Sequence, residues 1–513
     1  MKSFAVLVTV AALSTAAPLL AFAAPKPAAT AKQLSEAAEA LRTFDGDRVQ
    51  KDKAYAEAML LHADRLAPDA AAVPQFRDAV ALIRMMSLAS LGRSKDAVAA
   101  AQETLKGASP AVPVLGMAVY MAADADDRAT AVSIYERAAT LSETDRAEFR
   151  TMVDEDIVSW TWQRLGQAKD RPGRLRLAEA LLALEWPDKD AVSERDSYRS
   201  LAIERRLAAG ETASAAQLLR EIVTPDMLAR MAAARKYDAL FPEGGDRVAL
   251  IRQSLGRYDE ATRRRLAAAP ADPKRLLERG NALRALGRDA EAAALLLPFA
   301  TDLAKVEAAG EDGFWVVNEA AAALGAVGRH AEAVALMEKL LALGVDTHSG
   351  LISMAINHGE VLLGAGRFAD AAAHEAKLSQ GAKTASPYGY MWMWSMAACG
   401  HALGGDAAGA QPWLAKLAAN SADNEAAHMR ALLCANDMNG AEKLLVARLK
   451  GDDPESMLAK LQTYEQGTSP SAAAKVIEPR LLALRDRPAV REAIADVGRI
   501  LSLPLSKTYF GDY

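Results

Sequence analysis

The chain has 513 residues, of which 51% are hydrophobic, 5% aromatic and 25% charged, and its formal net charge is −5. The hydrophobic share is too high for an intrinsically disordered chain, and two cysteines are too few for a disulfide-rich scaffold. The slightly acidic balance argues against a nucleic-acid-binding protein, so we expect no nucleic-acid partner. An alanine-rich, aromatic-poor composition of this kind favours helices that pack closely together.

The first residues have the pattern of an export signal. Lys2 precedes an apolar stretch from Phe4 to Leu20, and the segment Ala21–Ala23 supplies the small residues that a signal peptidase recognises. We therefore predict a signal peptide over residues 1–23, a flexible linker over residues 24–35, and a periplasmic or secreted protein. A buried N-terminal anchor helix is the alternative interpretation of the same apolar stretch.

The sequence predicts no other attachment to a membrane. The first cysteine is Cys399, so no lipid-modified cysteine follows the apolar stretch. Beyond the signal peptide we find no uninterrupted apolar stretch of about 18 residues, the length that a membrane-spanning helix needs. We expect neither a lipid anchor nor a transmembrane anchor once the signal peptide is cleaved.

Apolar residues then recur at helical spacing, and one turn pattern interrupts them repeatedly. The pattern is a hydrophobic residue followed by Gly and usually Arg, as in the segment Leu286–Arg288. A glycine in this position ends a helix because it adopts the left-handed conformation without a Cβ clash. The glycines that we assign to this pattern are Gly92, Gly256, Gly287, Gly328, Gly366, Gly405 and Gly440.

The later turns repeat with a regular period and a regular environment. From Gly256 onward the glycines are 31, 41, 38, 39 and 35 residues apart, a range that indicates a helical repeat array. A small residue lies seven positions before each of the first five glycines, and an alanine lies five positions after it. We expect these small residues to lie where the two helices of a hairpin touch. The pairs are Ala249 and Ala261, Gly280 and Ala292, Ala321 and Ala333, Gly359 and Ala371, and Ala398 and Ala410.

This combination resembles the tetratricopeptide repeat (TPR) family, whose repeat is a pair of antiparallel helices with small residues at these places. The turns Leu255–Ala261 and Leu286–Ala292, the pair Asp272–Pro273 and Trp394 carry the resemblance, which covers about residues 242–450. The resemblance implies an all-α fold, a right-handed α-solenoid of helix-turn-helix repeats with a helical C-terminal cap. It also implies that the first helix of each repeat lines a concave groove that binds peptides or partner proteins.

Outside the clear repeats the pattern is weaker. We interpret residues 36–240 as degenerate repeats of the same type, with a separate α-helical domain as the alternative, and place the clear repeats in residues 241–450. We expect a linker over residues 451–470 and capping helices over residues 471–501, because a solenoid has to cover its last apolar face. An aromatic tail, residues 502–513, follows them.

The sequence lacks the motifs of the common catalytic and cofactor sites. We find no zinc-protease motif, no phosphate-binding loop, no dinucleotide-binding glycine motif and no nucleophile elbow. The seven histidines show no metal-ligand spacing, and we interpret His358, beside the small Gly359, as part of a helix surface. We therefore expect no catalysis, no cofactor and no metal site.

Export makes a disulfide chemically possible, and the two cysteines are Cys399 and Cys434. Each lies six residues before an assigned turn glycine, so the two occupy equivalent places on successive first helices. Equivalent points on packed helices are about 8–10 Å apart, whereas a disulfide needs Cα atoms closer than about 7 Å. We expect two free thiols rather than a bridge.

The glycine register assigns one face of the first helices to the groove. The predicted groove residues are Trp315, Asn318, Ser353, Ile356, Glu360, Trp392, Ser395 and Arg430. In the aromatic and methionine-rich segment Tyr388–Met396 we place Trp394 in the core and leave Trp392 open between core and groove. Lys274 and Asn281 stand at suggestive places for the family's clamp on a C-terminal carboxylate, but the basic set is incomplete and we do not predict that clamp.

Three functions are compatible with these features. We favour a non-catalytic periplasmic or secreted scaffold that binds proteins or peptides in its groove, because the repeat register is clear and no catalytic motif is present. The second function is a structural adaptor subunit of a cell-envelope assembly or polysaccharide-export machine. The third is an enzyme with an unrecognised site.

Overall fold

The computed structural model describes residues 31–70, 74–106, 110–186, 192–241, 245–381, 385–466 and 471–506. The predicted signal peptide lies outside these residues, as does the end of the predicted tail from residue 507. The chain divides into two compact units, Met1–Leu218 and Leu219–Tyr513. The boundary that we placed between residues 240 and 241 therefore falls inside the second unit.

Helices make up almost all regular secondary structure of the described residues, so the chain is all-α in its main architecture. Within this part of the chain, no helix is both long and apolar enough to cross a membrane. The helices of the first unit, the last of which crosses the boundary, are α1 (Ala31–Arg42), α2 (Gly46–Lys51), α3 (Lys53–Ala70), α4 (Pro74–Ser90), α5 (Ser94–Leu105), α6 (Val112–Asp124), α7 (Arg128–Ala139), α8 (Glu143–Met152), α9 (Glu155–Gln167), α10 (Arg171–Ala183), α11 (Val192–Ala208) and α12 (Thr212–Glu221).

The second unit continues with helices joined by short turns and ends in a mixed segment. Two 3₁₀ helices, Arg235–Leu240 and Ser421–Asp423, lie among the α-helices. The α-helices are α13 (Pro225–Ala233), α14 (Arg247–Ala268), α15 (Pro273–Ala285), α16 (Asp289–Ala300), α17 (Leu303–Ala309), α18 (Glu311–Ala326), α19 (His330–Leu341), α20 (Leu351–Gly364), α21 (Phe368–Gly381), α22 (Pro387–Leu403), α23 (Ala407–Ala419), α24 (Glu425–Cys434), α25 (Met438–Leu449), α26 (Pro454–Lys460), α27 (Ala474–Arg485) and α28 (Pro488–Val497).

Most of the assigned turn glycines end a helix as predicted. Gly287, Gly328, Gly366 and Gly405 have φ angles of 71°, 80°, 76° and 86°, in the left-handed region that glycine adopts without strain. In each case the next residue's amide closes the turn, as Arg288 does by donating to the Leu283 carbonyl at 2.8 Å. The glycine pattern thus marks the helix ends of these hairpins.

The predicted positions of the turn glycines are wrong at both ends of the array. Gly256 lies inside the continuous helix α14, and Ala249, predicted to be a helix contact, is exposed. Gly440 lies in the first turn of α25, while Asn436 holds the left-handed position with a φ of 59°. A single glycine costs a helix only about 1 kcal/mol, so its presence does not by itself end one.

Small residues lie where the helices of a hairpin approach each other. A Cβ atom added to Gly280 on α15 would lie 2.8 Å from Cδ1 of Leu296 on α16. A Cβ atom on Gly400 of α22 would lie only 2.6 Å from the carbonyl oxygen of Phe368, the first residue of α21. The predicted alanine contacts after the glycines are buried at Ala292, Ala333, Ala371 and Ala410.

The C-terminal segment differs from our linker and tail predictions. Residues 451–470 contain α26 and a strand, β1 (Thr463–Gln466), which pairs in parallel with β2 (Ser502–Ser506) at the start of the predicted tail. Helix α26 packs on α13 and α25, and β2 packs on α14 and α15. The segment therefore contacts both the first helices of the second unit and its last hairpin.

Candidate partner-binding groove

The predicted groove residues lie on α18, α20, α22 and α24, which we call the first-helix row. Successive helices of this row contact each other, so α20 packs on both α18 and α22, and α22 packs on α24. Each helix also packs on the helix that follows it in the chain. The structure therefore brings the predicted residues onto consecutive, touching helices.

A stripe of half-exposed side chains follows α18 and α20. Trp315 and Asn318 lie one turn apart on α18, and Ser353 and Glu360 lie on α20. Asn357, on the same side of α20, donates from Nδ2 to Oδ1 of Asn318 at 3.0 Å and so joins the two helices. Asn357 was not among the predicted groove residues, although its spacing of four residues from Ser353 indicates a shared helix face.

The stripe continues onto the first turns of α22 as a pair of aromatic rings. Tyr388 is 56% exposed, and its ring lies 6.4 Å from that of Trp392 in an edge-to-face arrangement. Trp392 packs partly against the buried cluster that includes Met391 and Leu417. Trp394, which we placed in the core, is also only partly buried and packs against the same cluster. Tyr388 thus adds an exposed ring that the groove prediction did not include.

Ile356, Ser395 and Arg430 are buried. Arg430 on α24 reaches across to α20, where its Nη2 lies 2.5 Å from Oε2 of Glu360. The Arg430 side chain is 5% exposed and that of Glu360 is 37% exposed, so Glu360 is the more accessible residue of the pair. The surface that a partner could touch is therefore smaller than the predicted set and lies toward the first turns of the helices.

A buried polar cluster lies beneath this surface. Glu375 on α21 is fully buried against Gly359, and neither of its carboxylate oxygens has a hydrogen-bond partner among the described residues. Nε2 of His374 lies 3.9 Å from Oε1 of Glu375 and 2.8 Å from the carbonyl oxygen of Ala355. The ring of His358 lies 4.8 Å from that of His374 and is buried, so our placement of His358 on a helix surface is wrong.

Burial shifts Glu375 and His358 of this cluster toward their neutral forms. It raises the pKa of Glu375 well above its usual range, and the nearby carboxylate of Glu360 adds to the increase. It lowers the pKa of His358 to about 4, with further contributions from His374 and Arg367. We find no sequence signal that could have identified Glu375, since an isolated glutamate in an alanine-rich helix usually faces solvent.

Cys399 and Cys434 form a disulfide, which contradicts our expectation of two free thiols. Their Cα atoms are 5.1 Å apart. The expectation failed because Asn436, not Gly440, ends α24, so Cys434 is shifted by about one helical turn from the place equivalent to Cys399. The shifted cysteine faces its partner directly and ties α22 to α24.

The two residues at suggestive places for a carboxylate clamp interact with carboxylates of this chain. Nζ of Lys274 lies 4.0 Å from Oδ2 of Asp312. Asn281, with its amide oriented to donate, lies 2.9 Å from Oε1 of Glu319. Glu319 also accepts a hydrogen bond from Arg284 at 2.8 Å. These contacts are internal and link α15 to α18.

In the described part of the chain, no group of three or more His, Cys, Asp or Glu side chains is placed to hold a metal ion. No family model matches the chain, and no curated protein matches it. A solved structure of Naa15/Naa10 bound to HypK-THB matches at 13% identity with a TM-score of 0.28, covering 90% of this chain and 79% of that one. A TM-score this low carries no argument about fold or function.

Proposed function

We propose that the protein is an exported, non-catalytic scaffold, a TPR-like right-handed solenoid with a C-terminal cap, that binds a protein or peptide segment on the first-helix row. The observation that carries the proposal is the half-exposed stripe from Trp315 through Asn357 to Trp392, which crosses three touching helices. Aromatic side chains of this kind are frequent binding hot spots when they are presented in a groove.

The packing of the second unit supports a concave shape for this row. The helices of the first-helix row contact one another directly, whereas no comparable contact joins α19, α21 and α23 within the described residues. An array whose helices are closer together on one side curves toward that side. The C-terminal segment also contacts both α13–α15 and α24–α25, which requires the intervening hairpins to curve.

The disulfide supports export. Disulfides persist in oxidising compartments and are rare in reducing ones, and the Cys399–Cys434 bridge joins two buried positions. This agrees with the signal-peptide pattern of residues 1–23, which predicts a periplasmic or secreted protein.

The burial of Glu375 argues against a catalytic role for this one carboxyl group. Glu375 has a strongly raised pKa and interacts with Glu360, features that active-site acids often share. A catalytic acid, however, has to reach its substrate, and the Glu375 side chain is fully buried between α20, α21 and α22.

Site-specific photo-crosslinking in producing cells tests the proposal. A photoreactive residue at Ser353 should form an adduct with a discrete protein, and one at the exposed Glu338 of α19 should not. The double substitution Trp315→Ala/Trp392→Ala should abolish the adduct while leaving the helical circular dichroism intact. Trp160→Ala, at a half-exposed tryptophan of the first unit, is the matched control. Equal adducts from Ser353 and Glu338, or no effect of the double substitution, would contradict the groove.

A further inference from the structure

The three helices that carry the half-exposed stripe have a one-sided charge. Helices α18, α20 and α22 contain the carboxylates of Glu311, Asp312, Glu319 and Glu360 and no Lys or Arg. On these helices, partly or fully exposed carboxylates lie among aromatic and amide side chains. We call them the acidic-aromatic face, which consists of Glu311, Trp315, Asn318, Glu360, Tyr388 and Trp392.

Two cations close to this face are already paired with carboxylates of α18 and α20. Lys274 lies 4.0 Å from Asp312, and the buried Arg430 lies 2.5 Å from Glu360. Glu319 is buried and bound to Arg284. Glu311 is exposed at the start of α18, with its Cβ close to Gly350 at the start of α20. The face therefore presents a negative charge at the place where two helices begin.

The aromatic groups add a second attraction for cations. Glu311 lies one turn before Trp315, so a carboxylate and an indole share one side of α18. Tyr388 and Trp392 present two further ring systems on α22. The faces of Trp and Tyr rings attract Lys and Arg side chains, with Trp the strongest. A carboxylate beside such rings favours a cationic side chain over a neutral or anionic one.

We infer that the acidic-aromatic face binds a basic peptide segment, whose Lys or Arg side chains lie against Trp315, Tyr388 and Trp392 with Glu311 as the counter-charge. This inference rests on the proposed function, because it names the chemistry of the segment that the first-helix row binds. Charge complementarity selects this occupant, since an acidic segment would meet the exposed carboxylate of Glu311 and find no Lys or Arg on α18, α20 or α22.

Fluorescence polarisation with short labelled peptides tests the inference. The peptides are identical except at a few positions, which carry Lys, Ser or Glu in the three versions. The purified chain should bind the Lys version at least about tenfold more tightly than the Glu version, and raised salt should reduce the difference. Glu311→Gln should weaken binding of the Lys version severalfold, whereas Glu338→Gln on α19 should not.

The same experiment separates failure of the inference from failure of the proposed function. If the Ser or Glu version binds as tightly as the Lys version and Trp315→Ala/Trp392→Ala still abolishes binding, the groove exists but its preference for basic segments is wrong. A second outcome also overturns the inference: none of the peptides shows binding that depends on Trp315 and Trp392, but the photoreactive residue at Ser353 still forms an adduct in cells that depends on them. If that adduct is missing as well, the proposed function fails too.

Discussion

At the scale of single residues, the surroundings of Glu375 disfavour a charge. Its carboxyl group is fully buried beside Gly359 and Met396, where Nε2 of His374 lies 3.9 Å from its Oε1. A buried carboxylate without hydrogen bonds is costly, so the neutral acid is the form that the fold favours. Its protonation state therefore affects the stability of the hairpins beneath the acidic-aromatic face.

We predict that Glu375→Gln stabilises the protein at neutral pH. Because the folded-state pKa of Glu375 is raised above its unfolded value, near 4.5, folding favours the protonated form, and stability is lost as pH rises between the two pKa values. The loss should reach up to about 1.4 kcal/mol per pH unit, and glutamine, which stays neutral, should remove it. Thermal unfolding followed from about pH 5 to about pH 8 measures the difference.

His358 supplies an internal control for this pH profile. Its pKa is lowered to about 4, so its contribution to stability is lost as pH falls below its unfolded pKa of 6.5. This loss of stability at acidic pH should persist in Glu375→Gln. Glu338→Gln, on the exposed side of α19, should leave the pH dependence of stability unchanged at both low and high pH. A variant that is less stable than the parent at pH values above neutrality would contradict a neutral Glu375.

At the scale of helices, glycine has two distinct uses in this chain. Gly366 and Gly405 end helices through a left-handed φ, whereas Gly400 lies within the last turn of α22 and allows it to touch the backbone of α21. The first use is local and readable from the sequence, since a helix stop depends on adjacent residues. The second depends on which helix lies opposite and could not be predicted for Gly400.

We predict that Gly400→Ala destabilises the protein and that Gly256→Ala stabilises it. The new Cβ atom on Gly400 would lie 2.6 Å from the Phe368 carbonyl oxygen and 2.8 Å from the Ala372 nitrogen, so α21 and α22 would have to separate, at a cost of about 1–3 kcal/mol. Gly256 lies inside α14 with no atom within 4 Å of the added Cβ, and alanine there should gain about 0.5–1 kcal/mol. Urea unfolding measures the change in the free energy of unfolding of each variant. Similar changes in the two variants would contradict the close approach at Gly400.

The disulfide gives a second prediction at this scale. Cys399→Ala and Cys434→Ala should each lower the free energy of unfolding by roughly 2–4 kcal/mol, because the bridge joins positions 35 residues apart and so constrains the unfolded chain. The double variant should lose little more than either single variant, since the interaction is already absent. Thermal unfolding with and without a thiol reductant provides the check. A parent protein that contains two free thiols by intact mass, or that is insensitive to the reductant, would contradict the bridge.

For the whole molecule, the helical architecture was predictable from the sequence, but the contacts that close the second unit were not. Helical spacing and turn glycines are local signals, so the hairpins from α15 to α23 were predictable. The pairing of β1 with β2 joins Thr463 to Ser502, and both strands are too short to show a clear alternating pattern. The helices that carry the candidate groove could be assigned from the sequence, but which of its residues are accessible could not. The burial of Ser395 and Arg430 depends on contacts between hairpins.

The last prediction concerns the contact that closes the second unit. Gly498, at the end of α28, touches α13 so closely that an added Cβ atom would lie 2.3 Å from the Ala233 carbonyl oxygen, and the neighbouring Arg499 binds Asp238 at 2.6 Å. Gly498→Ala should therefore release the C-terminal segment, and hydrogen exchange should accelerate together in residues 225–240 and 454–506 while α20 and α22 stay protected. Gly381→Ala, with no atom within 4 Å of the added Cβ, is the control. Faster exchange confined to residues 488–506 would show that the segment is not a cooperative part of the fold.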